Sequence, residues 1–331
     1  MAMQSRSVHS TVPELSEDER YFPICPAILH ADMLTDFRVY LKQSNRFVLY
    51  TLERQRFTRE LKQRLVNNGI TTVYVPRHQQ ENYDQYIFEN LSNILNNPEI
   101  DEEARSQVLL DTSAKQMQRL FEDQDCPLST KNVQDLNHLV ESSLTFLSRV
   151  KAMNSLSKFI SHDYKTYTHC VNVFTYASLL LSTYNVPFSV RRRVGMGALL
   201  HDIGKTFIAQ KILNKPGKLN PQEWAEVQKH TLYGLRMCSQ VTLSQTTLHC
   251  ILFHHEKDNG RGYLAGLQGE EIPFPVKIIT CCDVFDAITS SRSYADAETS
   301  FNALRIMSQE MEGTFDPEVF QRLAGLLGPV T

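Results

Sequence analysis

Ala198-Leu199-Leu200-His201-Asp202-Ile203-Gly204-Lys205 is the stretch on which the reading of this chain turns. An Ala- and Leu-rich helical run ends in an adjacent imidazole and carboxylate, and a glycine and a lysine follow at once. Side by side, the two groups can hold one divalent cation, and the carboxylate's second oxygen can reach another. Gly204 is expected to let the chain turn sharply just past them. Lys205 sets a positive charge where an anionic substrate would sit.

Working outward, further metal-binding side chains recur at intervals on apolar helical patterns. His169 lies in the helix expected over Tyr164–Ser178. His230 follows in Glu226-Val227-Gln228-Lys229-His230, with Gly234 one turn later. His254, His255 and Glu256 come together, and Asp283 lies in Cys282-Asp283-Val284-Phe285-Asp286. Any one of these histidines alone reads as a hydrogen-bonded core residue. Five imidazoles and two carboxylates on buried faces do not, because so many polar groups cannot leave water together without a partner. His162 and His249 fit no ligand pattern and read as structural, and His30 and His78 are isolated.

His201-Asp202-Ile203-Gly204-Lys205, then His230 with Gly234, then His254-His255-Glu256-Lys257-Asp258-Asn259-Gly260-Arg261-Gly262-Tyr263, then Asp283 to Arg292, resembles the HD-GYP branch of the HD phosphohydrolase superfamily. The resemblance covers roughly residues 150–325. It implies an all-helical domain that hydrolyses bacterial cyclic dinucleotides, above all cyclic di-GMP, as a phosphoric diester hydrolase. By position it makes His169, His201, Asp202 and Asp283 ligands of one metal. Asp202 then bridges to a second metal held by His230, His254 and His255. Two cations about 3.5–4 Å apart can share a hydroxide and clamp an in-line displacement at phosphorus. Imidazole-rich ligation favours iron or manganese, with nickel, zinc or cobalt as substitutes. Neighbouring His254 and His255 would point about 100° apart on a regular helix, so both reach one ion only at a corner or where the helix ends. The resemblance makes Asp202 and Lys205 the catalytic pair, with Lys205, Arg292 and Tyr263 contacting substrate. Glu256 is expected to orient a histidine from behind, and Asp286 to be structural, capping a helix.

The chain departs from the family pattern in two places. The signature Asp-Gly-x-Gly-Tyr-Pro has Asn259 for the Asp and Leu264 for the Pro. Asn-Gly keeps a tight turn, whereas losing the proline frees the backbone after Tyr263. The second departure is Lys165, four residues before His169, where three-metal members carry a Glu. Positions i and i+4 share a helix face, so Lys165 should aim its ammonium at the site and offer it to a substrate phosphate. Two metals are therefore expected, with linear pGpG favoured over GMP as product. Cyclic di-GMP is the favoured substrate, and nothing in the sequence separates it from the alternative, cyclic GMP-AMP. The competing readings are a catalytically weak cyclic di-GMP-binding or partner-docking module and a phosphohydrolase of nucleotide monophosphates.

Before this domain the pattern changes. Phe37–Leu41, Phe47–Thr51 and Thr71–Pro76 read as strands, and Phe57–Asn68 and Tyr83–Leu95 as amphipathic helices. The order β-β-α-β-α gives a small α/β regulatory or interaction domain over 20–97, after a disordered arm at 1–19. Residues 98–149 read as a helical linker, and 150–331 as the all-α phosphohydrolase domain. Long helices over 101–160 suit a homodimer, and diguanylate cyclase-type signalling partners are expected. The formal charge of -3 excludes a protein that coats nucleic acid. Seven cysteines with no CxxC pair read as reduced thiols of a cytoplasmic protein. No apolar run is long enough to span a bilayer.

Overall fold

The computed structural model describes residues 18–44, 46–122, 127–148, 160, 165–291 and 297–327. Two compact units divide at Asn90 and Leu91. In the first, a four-stranded antiparallel sheet has the order β1-β6-β3-β4, from strands β1 (Tyr21–Ile24), β6 (Val73–Pro76), β3 (Val39–Gln43) and β4 (Arg46–Thr51). A separate two-stranded ribbon joins β2 (Met33–Thr35) to β5 (Gln55–Phe57). The helices are α1 (Arg59–Asn67) and α2 (Gln80–Glu89).

Strand alternation decides which face is buried. Val39, Val73 and Val75 point inward and are fully buried. Tyr86, Ile87 and Phe88 of α2 are buried with them. The Thr58 hydroxyl accepts from the Leu61 amide to start α1. Gly69, at a φ of +65°, ends it in the left-handed conformation that glycine adopts without strain.

The expected β-β-α-β-α order is extended by β1, β2 and β5. Strand β1 carries Pro23, which is tolerated because β1 is an edge strand. The helix expected over Tyr83–Leu95 is two helices, α2 and α3 (Leu91–Asn96). Asn90 ends α2 by donating its side-chain amide to the Tyr86 carbonyl. The unit boundary falls before Leu91 rather than after 97, because α3 packs onto the helices that follow it.

The second unit is helical throughout, with no strand among the described residues. After α4 (Glu102–Glu122) and α5 (Thr130–Leu147), helix α6 (Thr166–Ser182) runs through the middle. Its residues from His169 to Leu181 are all buried, which marks a helix surrounded on every side. Helix α7 (Phe188–Leu200), α10 (His230–Met237), α11 (Gln245–Phe253) and α12 (Phe274–Thr289) enclose the site, with short α8 (Gln210–Leu213) and α9 (Pro221–Gln228) on its rim. Helices α13 (Ser300–Gln309) and α14 (Pro317–Leu327) follow. Small residues set the spacing. A Cβ on Gly197 of α7 would lie 2.6 Å from the Cys250 Cβ of α11.

Gly204 proves to act by close approach, not by a sharp turn. It lies in the 3-10 turn Ile203–Phe207 and is absent from the positive-φ glycines. A Cβ there would come within 1.9 Å of the His230 carbonyl oxygen and 2.4 Å of the Gly234 nitrogen. The glycine pair Gly204 and Gly234 therefore lets α10 lie directly against the turn that follows Asp202.

Candidate metal centre

Helix ends deliver most of the polar cluster. His201 caps the C-terminus of α7 and Asp202 follows it, His230 opens α10, and His254 caps α11 with His255 next. His169 stands in the first turn of α6 and Asp283 on α12. Termini suit this work because their free carbonyls can hold imidazoles in place. The Nδ1 atoms of His201, His230 and His254 face the carbonyl oxygens of Ala198 (2.8 Å), Val227 (2.7 Å) and Ile251 (3.0 Å). A carbonyl only accepts, so Nδ1 carries the proton in all three and Nε2 keeps its lone pair. Nε2 of His230 then meets Nε2 of His254 at 3.1 Å, and Nε2 of His201 meets Nε2 of His169 at 3.3 Å. Lone pairs aimed at one another call for a cation between them.

Asp202 joins the two halves. Its Oδ2 lies 3.4 Å from His201 Nε2 and 3.7 Å from His169 Nε2. Its Oδ1 lies 3.3 Å from His230 Nε2 and 3.8 Å from His254 Nε2. Asp283 Oδ1 stands 2.9 Å from His169, and its Oδ2 stands 3.8 Å from Nδ1 of His255. Two groups result, Asp202 with His230, His254 and His255, and His169 with His201 and Asp283. Asp202 Oδ1 is buried with no hydrogen-bond partner. An orphaned buried carboxylate oxygen facing two bare imidazole nitrogens fits a divalent cation and little else.

Electrostatics prepares these side chains as ligands. Burial pushes His230 down to about 4 and His255 down to about 3, and holds His254 well below its ordinary value. All three are therefore neutral at pH 7. Burial would raise Asp202, but Lys205 and His201 overcome it and hold the carboxyl well below its usual range. Burial would raise Asp283 too, but its close contact with the His169 ring overcomes it and holds that carboxyl down. Cys170 also lies within reach of His201 and Asp202. Burial and the nearby carboxylate of Asp202 raise its thiol well above the usual value, so it stays protonated and is a poor ligand.

Several expectations need correction. Asp286 is no helix cap: its Oδ2 accepts from His169 Nδ1 at 2.6 Å and its Oδ1 from Asn172 at 2.9 Å. It fixes the tautomer and direction of His169. Glu256 orients no histidine. Its buried carboxylate accepts from the backbone amides of Ala265 (2.6 Å), Gly266 (3.1 Å) and Leu267 (3.0 Å). It thereby clamps the loop that carries Tyr263. Lys165 precedes α6 with extended backbone angles, so the shared-face argument does not reach it. It is exposed, and its ammonium lies 5.9 Å from the centre of the Tyr167 ring. Arg292 and His162 lie outside the described residues, as does most of the expected arm at 1–19. The helix ends at Phe253, which is how His254 and His255 face the same place with ring centroids 4.1 Å apart.

The altered loop keeps its turn. Asn259 Oδ1 accepts from the Arg261 amide at 3.0 Å, and Gly260 has a φ of +71°. Gly262 is required because a Cβ would lie 2.5 Å from the Glu256 Cα. Leu264, in the proline position, is 42% exposed. Tyr263 stacks on His255 with ring centroids 4.6 Å apart. Outside the cluster opens a cleft of about 920 Å³, lined by Lys205, His230, His255, Tyr263, Lys215, Lys218 and Trp224 among others. The Lys205 ammonium stands 2.5 Å from Asp202 Oδ2 and also borders the cleft.

A protein-family model described as HD domain matches residues 128–319. The chain belongs to the HD domain family. The motif order around the cluster places this HD domain in the HD-GYP branch. It is 36% identical over 235 residues to a cyclic di-GMP phosphodiesterase of Pseudomonas aeruginosa, a match covering 69% of this chain and 56% of the relative. It is 37% identical over 155 residues to 3′3′-cGAMP-specific phosphodiesterase 3 of Vibrio cholerae, covering 47% and 34%. The chain thus spans from about a third to just over half the length of these relatives. A solved HDGYP-type protein from Bdellovibrio bacteriovorus shares the fold, with a TM-score of 0.61 at 19% identity over 93% of this chain and all of that one. No helix among the described residues is long and apolar enough to cross a membrane.

Proposed function

We propose that the chain is a phosphodiesterase that opens a cyclic dinucleotide to its linear form, with two divalent transition-metal ions held by the cluster. One observation carries the reading: the two oxygens of Asp202 face separate histidine sets, and the oxygen turned to His230 and His254 has no other partner. His169, His201, Asp202 and Asp283 would hold one ion, and Asp202, His230, His254 and His255 the other. Iron or manganese suits this imidazole-rich set. Such a pair supplies activated water and neutralises charge on the phosphate.

The chain's own residues do the rest. Asp202 and Asp283 enter as carboxylates and His230, His254 and His255 as neutral rings, so no proton has to be displaced from these five near pH 7. Lys205 brings a cation to the phosphate at the inner end of the cleft. Tyr263, fixed through the Glu256 clamp, bounds the same end and excludes bulk water. The relatives' names point to cyclic di-GMP or cyclic GMP-AMP as substrate, with pGpG the product of the first. The test is to load the purified protein with iron or manganese without oxygen, confirm bound metal, add each cyclic dinucleotide and chromatograph the products. A linear dinucleotide is expected; intact cyclic nucleotide returned by protein that holds its metal would refute the proposal.

A further inference from the structure

Helix α9 buries none of its residues fully. It is held instead by its ends and by ion pairs, Lys215 with Glu223 and Lys229 with Glu226. Asn220 accepts from the Glu223 amide at 2.8 Å, and Glu223 accepts in turn from the Asn220 amide at 2.8 Å. Glu223 also takes both hydrogen bonds from Lys215, at 2.9 and 2.6 Å. The next residue is Trp224, the only tryptophan of the chain, 47% exposed although it lines the cleft. A large ring left open to water on a helix anchored by other means is not there for packing.

The rings form a series leading away from the metal cluster. Tyr263 stacks on His255 at 4.6 Å and 28°, and Trp224 meets Tyr263 edge-on at 6.0 Å and 82°. His255 occupies one face of Tyr263, whereas Trp224 stands one ring farther out with much of its surface accessible. Lys215, whose ammonium holds Glu223 next to Trp224, lines the same cleft, as does the exposed Lys218. Indole beside ammonium is the combination that holds a nucleobase and its phosphate without reading base identity. At about 920 Å³ the cleft is near the top of the usual range for small-molecule pockets, about 300–1,000 Å³. A single nucleotide at the inner end would leave the part around Trp224 untouched.

We infer that Trp224 is the stacking platform for the nucleotide remote from the cleaved phosphodiester, with Lys218 as the cation for its phosphate. The inference rests on the phosphodiesterase reading and deepens it: the outer subsite requires a substrate of two joined nucleotides and tolerates either purine. Because the chain has one tryptophan, its emission reports this subsite directly. The experiment titrates the metal-loaded full chain with a non-hydrolysable phosphorothioate analogue of cyclic di-GMP, and separately with GMP. In parallel it measures turnover of cyclic di-GMP by the unaltered chain, Trp224→Ala, Trp224→Phe and Lys218→Ala.

The expected result is saturable quenching by the dinucleotide analogue and little by GMP at the same concentration. Trp224→Ala should raise KM about tenfold or more, with a smaller effect on kcat, as loss of a stacked base does. Trp224→Phe should recover most of that loss. Lys218→Ala should raise KM less in high salt than in low. If linear product forms while emission stays constant on analogue binding, or if Trp224→Ala keeps its KM, the outer subsite is overturned and the phosphodiesterase reading stands. If metal-loaded protein neither turns over the dinucleotide nor is quenched, both fall.

Discussion

Asp286 shows how much of the site depends on a residue outside the ligand set. It stands three positions after Asp283, so both carboxylates project from one face of α12 toward α6. Asp283 meets His169 Nε2 and Asp286 meets His169 Nδ1. Replacing Asp286 by Asn keeps the shape but allows an amide NH2 to face the ring. The ring would then lose its strong acceptor and its fixed tautomer. Asp286→Asn should weaken metal binding about 10–100-fold, measured by metal titration, with the circular dichroism of the apoprotein unchanged. An unaltered affinity would show that His169 needs no such support. The Asp-x-x-Asp spacing was legible in the sequence as a shared helix face, but nothing there said which carboxylate would look at the metal and which at the ring. Lys165 failed in the opposite way: its spacing was right for a helix, but the helix begins one residue later.

The same side chains set a pH dependence in the metal-stripped protein. His230 and His255 titrate near 6.5 when unfolded, but at about 4 and about 3 when folded. Between those values the unfolded chain binds more protons, so stability falls as the pH drops. The contribution is complete above about pH 6.5 and is lost progressively down to about pH 3. The depressed carboxylates Asp202 and Asp283 act with the same sign at still lower pH. A thermal unfolding series without metal should show a midpoint that declines from pH 7 to pH 4. A flat midpoint across pH 7 to 5 would mean that these rings take up protons as readily in the folded state as in the unfolded.

Among the elements, the turn after Asp202 and helix α10 form the contact that sets the distance between the two ligand groups. The contact has no room for a side chain, because the His230 carbonyl and the Gly234 amide occupy the place of a Gly204 Cβ. The obstruction is backbone on both sides, so it cannot be relieved by a rotamer change. Gly204→Ala should destabilise the second unit by at least the roughly 1–3 kcal/mol of an overpacked core, read from the urea midpoint, and should lower metal content by displacing His230. Gly325→Ala on α14 is the matched control, because nothing lies within 4 Å of the place its methyl would take. The sequence marks Gly204 but suggests the wrong reason for it, since a close approach between segments distant in the chain leaves no local pattern. Long amphipathic helices were legible for the converse reason: their period is written in adjacent residues. Strands β2 and β5, three residues each, are too short to show alternation, and Pro23 disguised β1.

At the scale of the molecule, the ligand clusters found among the described residues all lie in the second unit. They come from α6, the end of α7, α10, the end of α11 and α12, stretches that no local force brings together. Without cations, converging lone pairs and a partnerless carboxylate oxygen oppose that convergence. With cations, binding to the native state alone stabilises it by RT ln(1 + [L]/Kd), about 2.7 kcal/mol at a hundredfold excess over Kd. The first unit has its own buried sheet face and helix and contributes none of these ligands. Chelation should therefore act unevenly. Hydrogen exchange followed by mass spectrometry should show amides of 166–182 and 274–289 exchanging faster once metal is removed, while those of 39–43 and 73–76 keep their rates. Trp224 emission should show the second unit unfolding at a lower temperature in the chelated sample. Equal acceleration in both units would mean that the metals stabilise the chain as one cooperative block, and no acceleration in either would mean that the helices converge without them.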